Sequence, residues 1–334
     1  MESWLKQLSY DPIPPLLCSG NEALLYFVRR DLLGEPADPV GRLWELPEAK
    51  KILRKQQSDG SFAFPAGRNK HPAINYRLIE TWKQFRYLVE VFGFHRDHPQ
   101  AEKAAEFLFS CQTKVGDFRG FLANQYATYY IGAILSLLIQ AGYAEDARIE
   151  KGLRWLLAMR QNDGGWTVPI ITHAFSGKEM YRLTSQPLSP VEPDRSKPFS
   201  HNWTGMVLRA FAVHPKYRKS KEVKSAANLL ADRFFQPDVY TSYQAASYWV
   251  RFQYPFWWNN LVAALDSITR IGLSADDERI ARAIRWLTGH QEKDGLWRET
   301  YVKPHAKGKE TQKVREAGGW VSLAICRVFR RLYG

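Results

Sequence analysis

Cysteine is scarce in this sequence and forms no pattern. The 334 residues include three cysteines, Cys18, Cys111 and Cys326, with no CxxC pair and no close grouping of Cys with His. This spacing argues against a disulfide framework and against a zinc ribbon, and it favours a reducing compartment. The sequence therefore predicts a cytoplasmic protein that uses no metal and no cofactor.

A secretion signal and a membrane-spanning segment are also missing. The sequence starts MESWLK, without a basic segment followed by an apolar one. The longest apolar run, 129–143, is interrupted by Gln140. It is shorter than the roughly 20 residues that a helix needs to span a bilayer. We expect no transmembrane segment, so any membrane contact would be peripheral.

Acidic residues are in the minority, and the basic ones do not run together. Lys and Arg number 47 against 34 Asp and Glu, which gives a formal net charge of +13. Such a balance suits anionic partners in general, including an acidic membrane surface. Because the basic residues are scattered and no nucleic-acid motif occurs, we expect a solvated basic surface and no nucleic-acid partner.

Apolar and aromatic residues are abundant, at 45% and 14% of the chain. They suffice for a large core. A short pattern recurs among them: an apolar pair, a Gln four residues later, a turn with Asp and Gly, and an aromatic residue. The copies are ILRKQQSDGSF at 52–62, FLFSCQTKVGDF at 107–118, LLAMRQNDGGW at 156–166 and WLTGHQEKDGLW at 286–297, with Gln57, Gln112, Gln161 and Gln291. A fifth copy at 229–236 has lost the turn. We expect the pattern to be a structural clasp without chemistry.

Each clasp ends an amphipathic helix. Apolar residues precede each Gln by eight and four positions, as Leu153 and Leu157 precede Gln161, which places them on one helix face. The following Gly ends the helix, because it adopts positive φ without a Cβ penalty. Amphipathic helices are predicted over 44–56, 99–111, 146–160, 221–235 and 277–290. Helices that are apolar on nearly every side are predicted over 21–33, 75–92, 124–141, 202–213, 257–271 and 317–332.

The two kinds of helix alternate, and no segment has the period of a strand. Helices that are apolar on every side must be buried, and amphipathic helices must cover them. With a short helix at 3–8 as the sixth cover, inner and outer helices close most simply into a ring. The predicted fold is all-α, a single α/α toroid (α6/α6 barrel) over 1–334. It has an N-terminal helix and Pro-rich segment at 1–20 and an insertion at 166–200, which is either a lid or a disordered loop.

The link lengths orient this ring. Links from inner to outer helices are short, as at 93–95, whereas links from outer to inner helices are long, as at 166–200. Function is usually carried at the loop-rich end, where the partial positive charges of the inner-helix N-termini also converge. This end is predicted to hold an aromatic cup for an apolar ligand with a polar or anionic head. The predicted lining is Tyr76, Tyr126, Tyr129, Asn202, Trp203, Trp257, Trp258, Asn259, Arg315 and Trp320.

Two copies of the clasp, QNDGGW at 161–166 and QEKDGLW at 291–297, resemble the QW motif of squalene-hopene and oxidosqualene cyclases. That motif also recurs in the β subunits of protein prenyltransferases. With the weaker copies, the resemblance covers the chain from about Trp44 to its end. It implies the same α/α toroid and a cavity for an isoprenoid chain, often carried as a diphosphate. The full cyclases have two toroidal domains, so this single one is expected to need a lid, a second copy in a homodimer, or a partner subunit.

The reactions of that family are not implied, because its motifs are missing. The sequence has no DxDD motif to protonate a substrate and no DDxxD motif. The prenyltransferase zinc set needs an Asp two residues before a Cys, and neither Cys111 nor Cys326 has one. If the protein is an enzyme, the candidate catalytic groups are His201 at a helix start, Glu80 and Asp266 within inner helices, and Glu316 at the mouth.

Two alternatives stay open. Toroids of this kind also serve carbohydrate hydrolases and lyases, in which Trp203, Trp257 and Trp258 would stack on acidic sugars. The acid, the base and the neutralising group would then be His201, Tyr126 or Tyr129, and Arg315. The second alternative is a non-catalytic binder, such as a lipid-carrying partner subunit, since the family's acid and metal motifs are absent.

Overall fold

A computed structural model describes residues 3–36, 38–65, 71–240, 245–300 and 312–334, with the backbone alone for 312–315. Within these ranges, regular secondary structure is helical apart from isolated β-bridges. The helices are α1 (Ile13–Leu17), α2 (Glu22–Val28), α3 (Pro47–Leu53), α4 (Tyr76–Phe92), α5 (Pro99–Ser110), α6 (Thr128–Leu138), α7 (Ala147–Ala158), α8 (Gly177–Ser185), α9 (His201–Val213), α10 (Lys221–Asp232), α11 (Leu261–Ile271), α12 (Glu278–Gly289) and α13 (Gln312–Tyr333). The predicted all-α class is confirmed.

Shorter helical turns complete the described structure. They are 3₁₀-helices at Ser3–Gln7, Val40–Glu45, Pro169–Thr172, Tyr217–Lys219 and Ala246–Val250, and π-helical turns at Arg29–Leu33 and Ile139–Tyr143. The chain divides into two compact units, whose boundary falls within α10. The central unit is Val40–Leu229, and the terminal unit joins Met1–Pro39 to Leu230–Gly334.

In the central unit, buried helices alternate with covering ones. α6 buries ten of its eleven residues and α9 eleven of thirteen, whereas α7 buries five of twelve. Gly132 lets α6 and α9 approach closely, since a Cβ at this position would lie 2.6 Å from Val207 Cα. The predicted inner and outer helices are therefore both present in this unit.

The terminal unit shows the same alternation. α11 buries nine of its eleven residues and packs against α13. α12 is amphipathic, with Ile280, Ala283, Ile284 and Leu287 buried on one face, which is the spacing of a covering helix.

Two inner helices begin one turn later than predicted. α6 starts at Thr128, and α11 starts at Leu261. Before α11, the side chain of Asn260 accepts a hydrogen bond from the backbone N–H of Ala263 (3.0 Å), and such a cap fixes the first residue of a helix. The segment 257–260 therefore lies in a connection and not in the helix.

Two helices were not predicted. α1 lies within the Pro-rich segment, where proline is tolerated because the first turn of a helix leaves its N–H groups unpaired in any case. α8 lies within the 166–200 insertion, and the Ser176 hydroxyl caps it by accepting a hydrogen bond from Glu179 N (3.2 Å). At nine residues α8 is short, and it lies in an insertion rich in Pro, Ser and charged residues, so the sequence analysis did not identify it.

The clasps are turns that bind the next part of the chain. Gln112 Nε2 donates to Gly116 O in its own turn (2.9 Å) and to Arg148 O in the first turn of α7 (2.9 Å). The side chains of Gln56 and Gln291 make equivalent pairs of hydrogen bonds. Each of these clasps therefore satisfies buried carbonyl groups and ties one outer segment to another.

In two copies of the clasp, the structure corrects the predicted alignment of the Gln residue with the aromatic residue. Six residues before the aromatic residue, the first copy has Gln56, so the predicted Gln57 is not the clasp residue. In the third copy Arg160 takes this position, and Gln161 Nε2 donates to Asp194 O in the insertion (2.8 Å). Spacing alone could not separate adjacent candidates whose side chains leave the turn in different directions.

The aromatic residue of a clasp is fixed by hydrogen bonds as well as by burial. Trp166 is fully buried, and its Nε1 donates to Leu156 O (2.7 Å). An inner-helix hydroxyl accepts a hydrogen bond from the backbone N–H of the aromatic residue. These hydroxyls are Thr81 for Phe62, Thr204 for Trp166 and Ser322 for Trp297. A clasp therefore joins an outer helix to an inner one.

Gly60→Ala is expected to destabilise the protein by about 3 kcal/mol, through positive-φ strain of about 1–2 kcal/mol and overpacking of about 1–3 kcal/mol. Gly60 has φ +85°, and a Cβ there would lie 2.1 Å from Lys103 O in α5. Gly272, with φ +117°, has nothing within 4 Å of the added Cβ. Gly272→Ala is therefore the matched control that carries the strain alone. Thermal unfolding measures both losses, and equal losses would contradict the packing argument.

Candidate functional site

Five aromatic side chains of the central unit are in continuous contact and are named here the aromatic cluster: Trp82, Phe121, Tyr129, Tyr130 and Trp203. The Tyr130 ring centroid lies 3.7 Å from that of Phe121, at 14° between the planes, and 5.3 Å from that of Trp82. The Tyr129 centroid lies 4.6 Å from Tyr130 and 4.4 Å from Trp203. These separations favour aromatic attraction. The cluster joins α4, α6 and α9.

Helix starts position this cluster. Tyr129 and Tyr130 belong to the first turn of α6, and Trp203 belongs to the first turn of α9. The Ser200 hydroxyl caps α9 by accepting a hydrogen bond from Trp203 N (3.2 Å). The N-terminal partial positive charges of two helices therefore lie beside aromatic faces.

Arg119 and Tyr126, which flank Phe121 of the aromatic cluster in the sequence, form a group of polar side chains with Glu192. Tyr126 Oη donates to Glu192 Oε1 (3.0 Å), and the Arg119 guanidinium lies 5.2 Å from the Tyr126 ring centroid. Arg119 Nε in turn donates to the buried carboxylate of Asp117 (2.8 Å). Burial, and then the carboxylate of Glu192, raise the pKa of Tyr126 to about 12. Tyr126 is therefore protonated at neutral pH and suits the role of hydrogen-bond donor better than that of base.

Residues 186–199 follow α8 and are named here the strap. Side chains in the connection just before α6 bind the backbone of the strap: Asn124 Nδ2 donates to Leu188 O (2.9 Å), Gln125 Nε2 donates to Ser189 O (3.1 Å), and Gln125 Oε1 accepts from Val191 N (2.9 Å). With the bond between Tyr126 and Glu192, three consecutive residues hold the strap. It therefore lies against the connection that leads into the aromatic cluster.

The other predicted residues of the central unit lie on the same helices. His201 and Asn202 are buried in the first turn of α9, beside Trp203. Tyr76 is the first residue of α4, and its hydroxyl accepts a hydrogen bond from His71 N (2.9 Å). Tyr76, His201 and Asn202 therefore lie in the first turns of α4 and α9, and the prediction that they line one site stays a prediction.

Glu80 is buried in α4 and has polar partners on its own helix. Its Oε1 accepts a hydrogen bond from Gln84 Nε2 (2.6 Å), and Lys83 Nζ lies 3.8 Å from its Oε2.

The remaining predicted residues belong to the terminal unit. The Trp257 and Trp258 ring centroids lie 5.4 Å apart, and Asn259 is buried. Trp320 stacks on Tyr254 at 5.1 Å, with 5° between the planes. Glu316 is half-buried in α13, and the side chain of Arg315 lies outside the described residues.

Asp266 lies on α11 and is held by two arginines. Arg270 Nε lies 3.0 Å from Asp266 Oδ2, and Arg331 NH2 lies 2.9 Å from Oδ1. Although burial raises it, the pKa of Asp266 lies well below its ordinary value because these two guanidiniums are so close. An ionised carboxylate does not suit the role of general acid that was predicted for Asp266.

We expect Asp266→Asn to lower the free energy of unfolding at neutral pH by about 1–2 kcal/mol, a value reduced for partial exposure. Because the folded-state pKa of Asp266 is lowered, its contribution is present above the unfolded-state pKa, about 3.9, and is lost as the pH falls through the folded value. Urea unfolding between pH 7 and 2 should show the two curves converging in acid. Glu278→Gln, at an exposed ion pair with Arg285, is the control and should change little.

Sequence reasoning missed several residues of this site. Tyr130 adjoins the predicted Tyr129, and aromatic content at a helix start was the signal that could have found it. Trp82 and Phe121 were also missed, because neither lies in the first turn of a helix. Glu192 and Arg119 lie in segments without periodicity, so nothing in the sequence connected them to Tyr126. Within the described ranges, no three His, Cys, Asp or Glu side chains gather as metal ligands would. No helix there is long and apolar enough to cross a membrane.

Comparison with known proteins yields structural neighbours. No protein-family model and no curated protein sequence matches the chain. A variant of the type II terpene cyclase MstE from Scytonema is 15% identical, with a TM-score of 0.45 over 96% of this chain and 99% of that one. A polysaccharide lyase is 12% identical, with a TM-score of 0.44 over 87% and 86%. A protein from Actinoplanes is 18% identical, with a TM-score of 0.43 over 87% of each chain. The chain is thus similar to proteins of different activities, and these similarities assign none of them to it.

Proposed function

We propose that this protein binds an isoprenoid or a similar apolar molecule with a polar or anionic head on the aromatic cluster. The observation that carries the proposal is the unbroken series of ring contacts from Trp82 to Trp203. Three helices contribute these rings, so their faces can bind a chain longer than one side chain. Burial of apolar ligand surface then provides the driving force, at roughly 25 cal/mol per Å².

The head of the ligand would bind near the polar group formed by Arg119, Tyr126 and Glu192. Tyr126 is protonated at neutral pH and donates its single proton to Glu192, so the head of the ligand would take the place of that carboxylate, and Arg119 supplies a positive charge beside it. The partial positive charges at the starts of α6 and α9 favour an anionic or strongly polar head in the same place.

The strap would act as the cover of this site. Its hydrogen bonds to the connection before α6 involve side chains at 124–126, and each such bond contributes only about 1 kcal/mol. Opening the strap therefore costs less free energy than ligand binding can supply, whereas release of a packed helix costs more. The cluster residues are largely buried, so entry of a ligand would require the strap to move.

Catalysis would need a proton donor or base beside the bound chain. His201 and Glu80 are the candidate groups of the central unit, and both are buried on inner helices. We propose binding as the primary function and turnover as its extension. A homodimer, a partner subunit, a peripheral membrane contact and a cytoplasmic location stay predictions.

Tryptophan fluorescence of the purified full-length protein tests the proposal directly. Saturable quenching or enhancement is expected with geranylgeraniol and with geranylgeranyl diphosphate, together with protection of the strap from hydrogen exchange. Saturable binding of an acidic oligosaccharide with no response to either isoprenoid would overturn the proposal in favour of a carbohydrate-active enzyme. Product formation that is lost in His201→Ala or Glu80→Ala would extend it to catalysis.

A further inference from the structure

The terminal unit contains a group of arginines that the proposed function does not use. They are named here the arginine cluster: Arg30, Arg270, Arg327, Arg330 and Arg331. Arg30 follows α2, Arg270 lies in the last turn of α11, and Arg327, Arg330 and Arg331 lie in the last two turns of α13. They therefore gather at the C-terminal ends of these helices, the ends opposite to the helix starts.

Two aspartates bind the five guanidiniums, four of them through a carboxylate and the fifth through a backbone carbonyl. Asp266 Oδ1 accepts hydrogen bonds from Arg270 Nε (3.1 Å) and Arg331 NH2 (2.9 Å). Asp31 Oδ2 accepts one from Arg327 Nε (2.8 Å). Arg30 donates to the same Asp31 carboxylate, and Arg330 donates to the Asp31 backbone carbonyl. These shared acceptors hold the guanidiniums beside one another.

Positive charge exceeds negative charge in this cluster. Five guanidiniums face the carboxylates of Asp31 and Asp266. The C-terminal ends of α2, α11 and α13 add about half a negative charge each, which leaves a surplus of about one and a half to two positive charges. The arginines repel one another. Burial, together with the charges of Arg270 and Arg327, lowers the pKa of Arg331 although Asp266 is adjacent.

Several donor groups of the cluster are directed to no acceptor among the described residues. Arg270 uses only Nε for Asp266, so NH1 and NH2 have no acceptor there. Arg330 uses NH1 for a carbonyl and leaves NH2, and Arg327 leaves NH1. The side chains of Arg270 and Arg327 keep 35% and 22% of their surface exposed. These N–H groups are therefore accessible to a small ligand.

We propose that the arginine cluster is a binding site for a phosphate-type oxyanion, either a soluble phosphate ester or the phosphate head of a lipid. Guanidinium groups present planar pairs of N–H donors that match phosphate oxygens. A phosphate carries up to two negative charges, which is the size of the surplus. Its oxygens would accept hydrogen bonds from Arg270 and Arg330 while Asp31 and Asp266 keep their present partners.

The test is a titration of the full-length protein with inorganic phosphate at constant ionic strength, followed by ³¹P NMR line broadening and by thermal unfolding. Saturable binding is expected for the wild type. Arg330→Gln should weaken it about tenfold, the effect of one charge-assisted hydrogen bond. Arg285→Gln removes the same charge from an exposed pair on α12 and should leave binding unchanged. Trp203→Leu, in the aromatic cluster, should also leave it unchanged.

Arg270→Lys protects the test against a folding defect, because it keeps the charge beside Asp266 and removes only the planar donors. It should weaken phosphate binding while the protein unfolds at nearly the wild-type temperature. Vesicles of phosphatidylcholine with and without phosphatidic acid distinguish the two sources. Phosphate binding together with binding to the vesicles that contain phosphatidic acid, but not to the others, indicates a lipid head. Phosphate binding without vesicle binding indicates a soluble ester. Absence of saturable phosphate binding by the wild type, or equal weakening by Arg285→Gln, overturns the proposal.

Discussion

Trp297→Ala is expected to lower the free energy of unfolding by about 4–5 kcal/mol, the upper part of the range for removing a buried tryptophan. The Trp297 side chain is 1% exposed, and its Nε1 donates to Leu287 O at the end of α12 (2.8 Å). The substitution leaves a cavity between an outer and an inner helix and removes that hydrogen bond. A domain is typically stable by about 5–15 kcal/mol, so the variant should lose between roughly a third and nearly all of the stability of the protein.

Two variants make this expectation testable when the alanine variant fails to fold. Trp297→Phe keeps most of the packing and loses the Nε1 donor, so a loss of about 1–3 kcal/mol is expected from urea unfolding. Trp286→Ala removes a tryptophan from the same unit. That ring is partly exposed and stacks on His290 (3.8 Å), so a smaller loss is expected. Equal losses for Trp286→Ala and Trp297→Ala would show that the clasp position has no special role.

Loss of ligand binding is the second large effect that we expect. Tyr129→Leu and Trp203→Leu each remove one ring of the stacked pair (4.4 Å) in the aromatic cluster. Central aromatic anchors of a binding site contribute about 2 kcal/mol or more, which corresponds to roughly thirtyfold in affinity. Fluorescence titration with geranylgeraniol measures the change for Tyr129→Leu, and native mass spectrometry measures it for both variants.

A tryptophan of the same unit outside the cluster provides the control. Trp44 packs on Phe94 (5.4 Å) and His95 (4.8 Å), away from the starts of α6 and α9. Trp44→Leu should therefore bind geranylgeraniol with wild-type affinity. Wild-type affinity in Tyr129→Leu and Trp203→Leu would place the ligand elsewhere and remove the cluster from the site.

The helical repeat could be predicted because its signals are local. Apolar spacing along a helix and a glycine at its end act within about ten residues. Both signals can be read in the sequence of the clasp that ends at Trp166. The residue of each clasp that forms the hydrogen bonds was harder to identify. Gln56 and Gln57 are adjacent, and only the direction of each side chain in the turn determines which one reaches the next helix.

The polar partners of the candidate site could not be predicted. Tyr126 and Glu192 are 66 residues apart, and Arg327 and Asp31 are 296 apart. Neither pair belongs to a motif, and pairing of charged or polar groups across such distances follows from packing and not from local preference. Asp266 illustrates the consequence, because its place in a helix suggested a buried acid, whereas Arg331 approaches from another helix and holds it ionised.

The sequence by itself determined that the chain is all-α, that buried and covering helices alternate, and where most of these helices end. These properties follow from side-chain periodicity and from glycine, which act along the chain. The tertiary structure alone decided which aromatic rings stack, that the strap binds the connection before α6, and that five arginines gather around Asp31 and Asp266. Such contacts depend on the relative positions of whole helices, which are set by the packing of many residues together and leave no signal at any one position.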